Sequence, residues 1–112
     1  KYTLTHVTRS GAFAAKFLDE FDVTPDEVRL VAATALAEIN PSRMPMEPVL
    51  RFSSSDSANL RSQCATALGV QGNQLSLGPL TLMMEDSDPL VQISAAGAVL
   101  RINNRDSMVI AD

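Results

Sequence analysis

The stretch "DSDPLVQISAAGAVLRIN", Asp86 to Asn103, decides how the whole chain is read. It opens with acids, a serine and a proline, then fills the middle of a helix-like segment with Ser94-Ala95-Ala96-Gly97-Ala98. Asp88-Pro89 has the form of a helix start: a capping side chain, then a proline whose fixed φ suits the first turn. Small residues bury little apolar surface of their own. Their use in a helix is to let neighbouring backbones approach closely.

Two other stretches repeat the pattern without a gap. "VRLVAATALAEIN" begins at Val28, "LRSQCATALGVQG" at Leu60, and "VQISAAGAVLRIN" at Val91, giving spacings of 32 and then 31 residues. The aligned columns are Val28, Leu60, Val91; Ala32, Cys64, Ala95; Ala35, Ala67, Ala98; Leu36, Leu68, Val99; and Ile39, Gln71, Ile102. Offsets of 0, 4, 7, 8 and 11 describe one face of an α-helix, expected to be core. The last column, Asn40, Gly72 and Asn103, holds residues that readily take the left-handed conformation, so a helix end is expected at each. Thr24-Pro25-Asp26-Glu27 predicts a capping box, and Ser57 a weaker cap.

The register extends into the intervening segments, where Phe17, Val49 and Leu80 align and Pro48 and Pro79 precede the last two. Each unit therefore reads as a first helix, a polar turn and a second helix. First helices are expected over about 11–21, 43–53 and 74–85, with "RFSSSDS" and "MEDSD" as turns and an irregular start at Met44-Pro45-Met46. The expected organisation is an N-terminal arm, 1–10, and a repeat domain, 11–112, with units of about 11–40, 41–72 and 73–103 and a partial fourth at 104–112. Ser107 and Met108 match Ser76 and Leu77 one repeat earlier. The expected fold is all-α, an α-solenoid of about three helix pairs.

Leu80, Asp86-Ser87-Asp88-Pro89-Leu90-Val91-Gln92 and Ala95-Ala96 followed by Ala98-Val99 resemble the short HEAT-like repeats of the phycobilisome-lyase type. In that family a Pro precedes the first-helix Leu, an acidic turn follows, and the second helix opens Val-Arg. Pro48-Val49, Pro79-Leu80, Val28-Arg29, Leu60-Arg61 and Val91-Gln92 occupy those positions, across roughly residues 11–103. Gln92 stands where the family has Arg, so an Asp–Arg ladder would stop there, and Lys16 replaces the first unit's Pro. The resemblance implies a helical solenoid. It also permits an enzyme or enzyme subunit of the phycobilin-lyase class, which would need a bilin pocket with polar anchors.

Composition narrows the function classes. Apolar residues make up 46% and charged ones 20%, which argues for a packed core rather than disorder. Nine Lys and Arg against thirteen Asp and Glu give a net charge of −4, contrary to a phosphate-tracking surface, so no nucleic-acid partner is expected. Neither a membrane-spanning apolar run nor a signal-peptide pattern is present. The chain starts at Lys1 without Met, consistent with a piece of a larger protein.

No catalytic, cofactor or metal site is expected. Cys64 shares a column with Ala32 and Ala95, which makes it a core thiol rather than a nucleophile. His6 has no companion at ligand spacing and reads as a surface histidine. Glu85, Asp86 and Asp88 lack the Gly and later Glu of a calcium loop and read as a turn with a helix cap. Ser53 to Ser57 reads as a solvated turn. Arg29 and Arg61 align beside the core face and suggest a structural ladder to the adjacent unit.

One feature departs from routine repeat packing. The first two second helices carry polar residues away from the core, Glu27, Thr34 and Glu38 in one and Asn59, Ser62 and Thr66 in the other, whereas the third carries Leu90, Ile93, Gly97 and Leu100. A helix apolar on every side is normally covered on every side. The expected function is a non-catalytic protein-interaction module whose cover is another protein or a second copy, with Leu90, Ile93, Leu100, Thr34 and Thr66 as candidate contact residues.

Overall fold

The computed structural model describes residues 24–111. The arm 1–10 with His6 and the first expected helix, 11–21 with Phe17, lie outside the described residues. Five α-helices and no strand occur among those described: α1 (Pro25–Ile39), α2 (Met46–Leu50), α3 (Ala58–Gln71), α4 (Leu77–Met83) and α5 (Pro89–Ala111). Single 3-10 turns lie at Pro41–Arg43, Arg51–Ser54 and Gln74–Ser76. The three repeated stretches are α1, α3 and α5. They form a row in which α1 packs on α3 and α3 on α5, while α2 and α4 lie against α3 and α5 respectively. The chain is an all-α solenoid.

The helix starts follow from the caps. Glu27 N donates to Thr24 Oγ1 (3.1 Å) and Thr24 N to Glu27 Oε2 (3.0 Å), a complete capping box. Ser57 Oγ accepts from Leu60 N, and Asp88 Oδ1 from Leu90 N. The expected first helices over 43–53 and 74–85 are shorter and broken, and proline explains both. Met44, preceding Pro45, is extended (φ −73°, ψ 123°) and delays α2 until Met46. Pro48 and Pro79 then occupy the third position of α2 and α4. A first-turn proline forfeits no intrahelical bond, whereas an earlier start would bury it in the interior at about 3 kcal/mol.

The three helix ends differ from one another. Gly72 is left-handed (φ 74°), and a Cβ there would collide with the Arg105 guanidinium lying over the end of α3. Asn40 is extended instead (φ −152°, ψ 91°), because it precedes Pro41, which disfavours helical backbone before it. The third end is not at Asn103: α5 runs unbroken to Ala111. Neither Gly nor Pro interrupts residues 103–111, and the extra turn delivers Arg105 Nη1 to Gln71 O, a terminal carbonyl of α3 (3.0 Å).

The core is built from Leu30, Val49, Cys64, Leu68, Leu80, Val91, Ala95 and Ile102. The repeat's core columns are buried in α3 and α5, with Leu60 and Val99 half-buried. In α1 the expectation fails: Val28, Ala32, Ala35 and Ile39 are exposed, and Leu30 and Ala37 are the buried pair. Those two face α3. The other side of α1 is where the unit's own first helix was expected.

The small residues of the opening stretch divide into two kinds. Ala95 and Ala98 are buried at the α3–α5 contact, where Ser62 and Ser94 hydroxyls also bond each other. A Cβ added to Gly69 would sit 2.7 Å from Ala98 Cβ, so glycine sets how closely the helices meet. Gly97, by contrast, has open space around its missing side chain. Its smallness serves no packing among the described residues. Gly69→Ala should therefore destabilise by about 1–3 kcal/mol through overpacking, whereas Gly97→Ala should stabilise the monomer by about 0.5–1 kcal/mol through helix propensity. Thermal unfolding of the two variants checks this, and equal signs would contradict the helix register.

Candidate protein-interaction face

The row of second helices presents two surfaces. On one, grooves run between neighbouring helices. The α1–α3 groove, about 380 Å³, is lined by Leu30, Val31, Thr34, Ala35, Gln63 and Thr66. The α3–α5 groove, about 300 Å³, is lined by Thr66, Gly69, Ile93, Ser94, Gly97 and Arg101 among others. Thr66 borders both, so Thr34, Thr66 and Ile93 lie along one continuous surface. Both threonine hydroxyls donate to their own helix, Thr34 to Leu30 O (2.9 Å) and Thr66 to Ser62 O (3.1 Å). Arg101 spans the row to Glu38 of α1 at 3.9 Å, an exposed pair worth little by itself.

The second surface is the outer side of α5. Leu90, Ile93 and Leu100 are 46%, 71% and 61% exposed, and Gly97 lies among them. Val91, Ala95, Ala98 and Ile102, on the opposite side of the helix, are buried. Within residues 89–105 the only charges are Arg101 and Arg105, and both are engaged, with Glu38 and with Gln71 O. The outer side is therefore mostly apolar, with Arg101 the one charge beside Ile93 and Gly97. Val31 and Ile39 of α1 are also exposed, 61% and 82%, at positions the repeat pattern assigned partly to core.

Arg61 joins successive turns. Its Nε and Nη2 donate to the two carboxylate oxygens of Asp86 (2.9 and 3.1 Å), and Nη1 donates to Ser55 O (2.8 Å). Ser55 and Asp86 hold the same place in successive turns, 31 residues apart. Gln92, at the Arg column of α5, donates to Asp86 O as Arg61 does to Ser55 O, six residues back in each case. Glutamine thus keeps the bond to its own turn and lacks the reach to a further one. Arg29 pairs with Asp26 of its own helix at 3.4 Å, largely in solvent. The turn it would face carries Ser55 where Arg61 meets Asp86, so that rung has no carboxylate at the matching position.

The Arg61 hydrogen bonds, and then the Asp88 backbone N–H, hold the Asp86 carboxyl below the usual carboxylate range. A depressed folded-state value means the pair stabilises the fold above the unfolded carboxylate pKa, about 4, and that this is lost as pH falls through the folded value. Asp86→Asn should accordingly lower the melting temperature at neutral pH and flatten the acid limb below about pH 4. An acid limb identical to wild type would contradict this role.

No described group of His, Cys, Asp and Glu residues could hold a metal ion, and no described helix is long and apolar enough to cross a membrane. Cys64 is fully buried, its thiol donating to Val49 O at 3.2 Å, and burial pushes its pKa up to about 12. It is held as a thiol, not as a thiolate nucleophile.

A family model described as HEAT repeats matches residues 14–99. The chain belongs to the HEAT-repeat family. The same comparisons find no match among curated proteins and none among solved structures. The HEAT assignment and the row of α1, α3 and α5 agree on the repeat unit, a helix pair whose second members stack side by side.

Proposed function

We propose that this HEAT-repeat domain is a non-catalytic protein-interaction module, docking another protein or a second copy on the outer side of α5. Leu90, Ile93 and Leu100 supply the apolar contact, and Thr34 and Thr66 border the adjoining grooves. Arg61 serves the fold by tying two turns together, whereas Arg29 pairs with Asp26 of its own helix. The observation that carries the reading is the exposed apolar side of a helix whose opposite side is packed. Burying one such side chain is worth about 1.5–3 kcal/mol, so three left in water forgo much stabilisation. A contiguous patch of this kind marks an interaction site. Gly97 leaves open space between the large residues.

Affinity capture with wild type, Ile93→Glu and Leu82→Glu tests this. Leu82 is equally exposed, on α4, and serves as the control. Because Ile93 is in solvent, Ile93→Glu should change the monomer's stability by less than about 0.5 kcal/mol. A partner should bind wild type and Leu82→Glu and be lost from Ile93→Glu. Equal capture by all three would remove the α5 face from the interaction. If Ile93→Glu unfolds a monomeric domain, the face is internal core.

A further inference from the structure

We propose that the last turns of α5 act as a conformational strap: Arg105 fixes Gln71 at the end of α3, and Gln71 in turn fixes the junction between α1 and α2. Displacing the α5 extension then loosens that distant junction through one shared residue. The strap does not depend on what docks on the outer side of α5. Both ends of Gln71 take part. Arg105 Nη1 donates to its backbone oxygen at 3.0 Å, a charge-assisted bond to a helix-end carbonyl. Its side-chain Nε2 donates to Pro41 O and to Met44 O, both at 3.0 Å. Arg105 is 34 residues from Gln71, and Gln71 is 27 from Met44, so neither link is local.

Ile39 and Ile102 hold the same column as Gln71, so a polar side chain stands here in a core position. Gln71 is buried, and its Oε1 is buried without a hydrogen-bond partner. A buried carboxamide costs stability unless its hydrogen bonds are made, and here the two N–H bonds to the junction are what it makes. Their aim is set by the backbone of Gln71. That backbone is held by the left-handed Gly72, whose N–H bonds Leu68 O, and by Arg105, whose guanidinium lies directly over Gly72. The junction itself is thin. Pro41–Arg43 is a single 3-10 turn, and Pro41 O accepts from Met44 N (3.2 Å) as well as from Gln71. Arg101, one turn before Arg105, also reaches this region, meeting Glu38 at 3.9 Å. That pair is exposed and screened by salt, so it adds little.

Amide hydrogen exchange of the full chain, resolved residue by residue, tests the strap. Arg105→Ala should speed exchange about tenfold at Gly72 and about threefold or more at Arg43 and Met44. Gln71→Met keeps the backbone oxygen for Arg105 but removes the side-chain clamp. Arg43 and Met44 should then exchange faster while Gly72 stays protected. Adding Arg105→Ala to Gln71→Met should change Arg43 and Met44 no further. Arg105→Lys, which can still donate to Gln71 O, should recover part of the protection. Gln71→Leu and Arg105→Gln replace any variant that does not fold. Acceleration at Gly72 alone would make Arg105 a local cap and overturn the strap. Equal acceleration at Glu85 and Asp86, whose N–H groups close the turn at the other edge of the row, would report global loosening and also overturn it. So would an undiminished effect of Arg105→Ala in the Gln71→Met background. Loss of wild-type protection at Met44 in about 0.5 M salt would assign the link to Arg101 and Glu38 instead.

Discussion

The close contact of α3 with α5, where Gly69 lies against Ala98, is the constraint on which the rest of the structure depends. With the backbones this near, the Ser62 and Ser94 hydroxyls reach each other, and Arg105 lies across the end of α3 to bond Gln71 O. The same approach brings the turn before α5 within reach of Arg61, which grips both carboxylate oxygens of Asp86. None of these bonds survives a separation widened by a side chain's depth. Close packing of interiors transmits such a shift rather than absorbing it. Ala95 and Ala98 are small because a neighbour is close, while Gly97 points away from that neighbour.

From this one interface the functional reading also follows. A repeat that stacks through fixed columns buries them wherever a neighbour stands and exposes them at the ends of the row. At the α3–α5 junction the columns carry Ser, Ala and Gly, whereas on α5 itself they carry Ile93, Ala96 and Leu100. Arg101, beside Ile93 and Gly97, is the one charge on that side of α5. The grooves lined by Thr34 and Thr66 adjoin Ile93 along the row.

Much of this was legible in the sequence because local chemistry and the repeat agreed. The capping box at Thr24, the caps at Ser57 and Asp88, the left-handed Gly72 and the buried Cys64 column all follow from residues a few positions apart. Failures occurred where a column's average overrode a particular neighbour. Asn40 could not turn left-handed with Pro41 after it, and Asn103 could not end a helix that nothing downstream breaks. Val28, Ala32 and Ala35 share columns with buried residues, but no described residue packs over them. The Arg61–Asp86 rung was half visible: aligned arginines could be read, but their effect depends on whether the next turn offers Asp86 or Ser55. Outward exposure of Leu90, Ile93 and Leu100 was written in their spacing. What covers them is a property of two surfaces, and one sequence column describes only one.

A double-mutant cycle on Gly69→Ala and Ala98→Gly tests the central contact most directly. If the two backbones are held apart only by what stands between them, removing the Ala98 methyl relieves part of the clash that the new Cβ creates. Ala98→Gly should then cost less in the Gly69→Ala background than in wild type, with a coupling of about 0.5–3 kcal/mol in chemical-denaturation stabilities. Additivity within about 0.5 kcal/mol would mean that the two positions do not touch, and the stacking geometry described for α3 and α5 would be wrong.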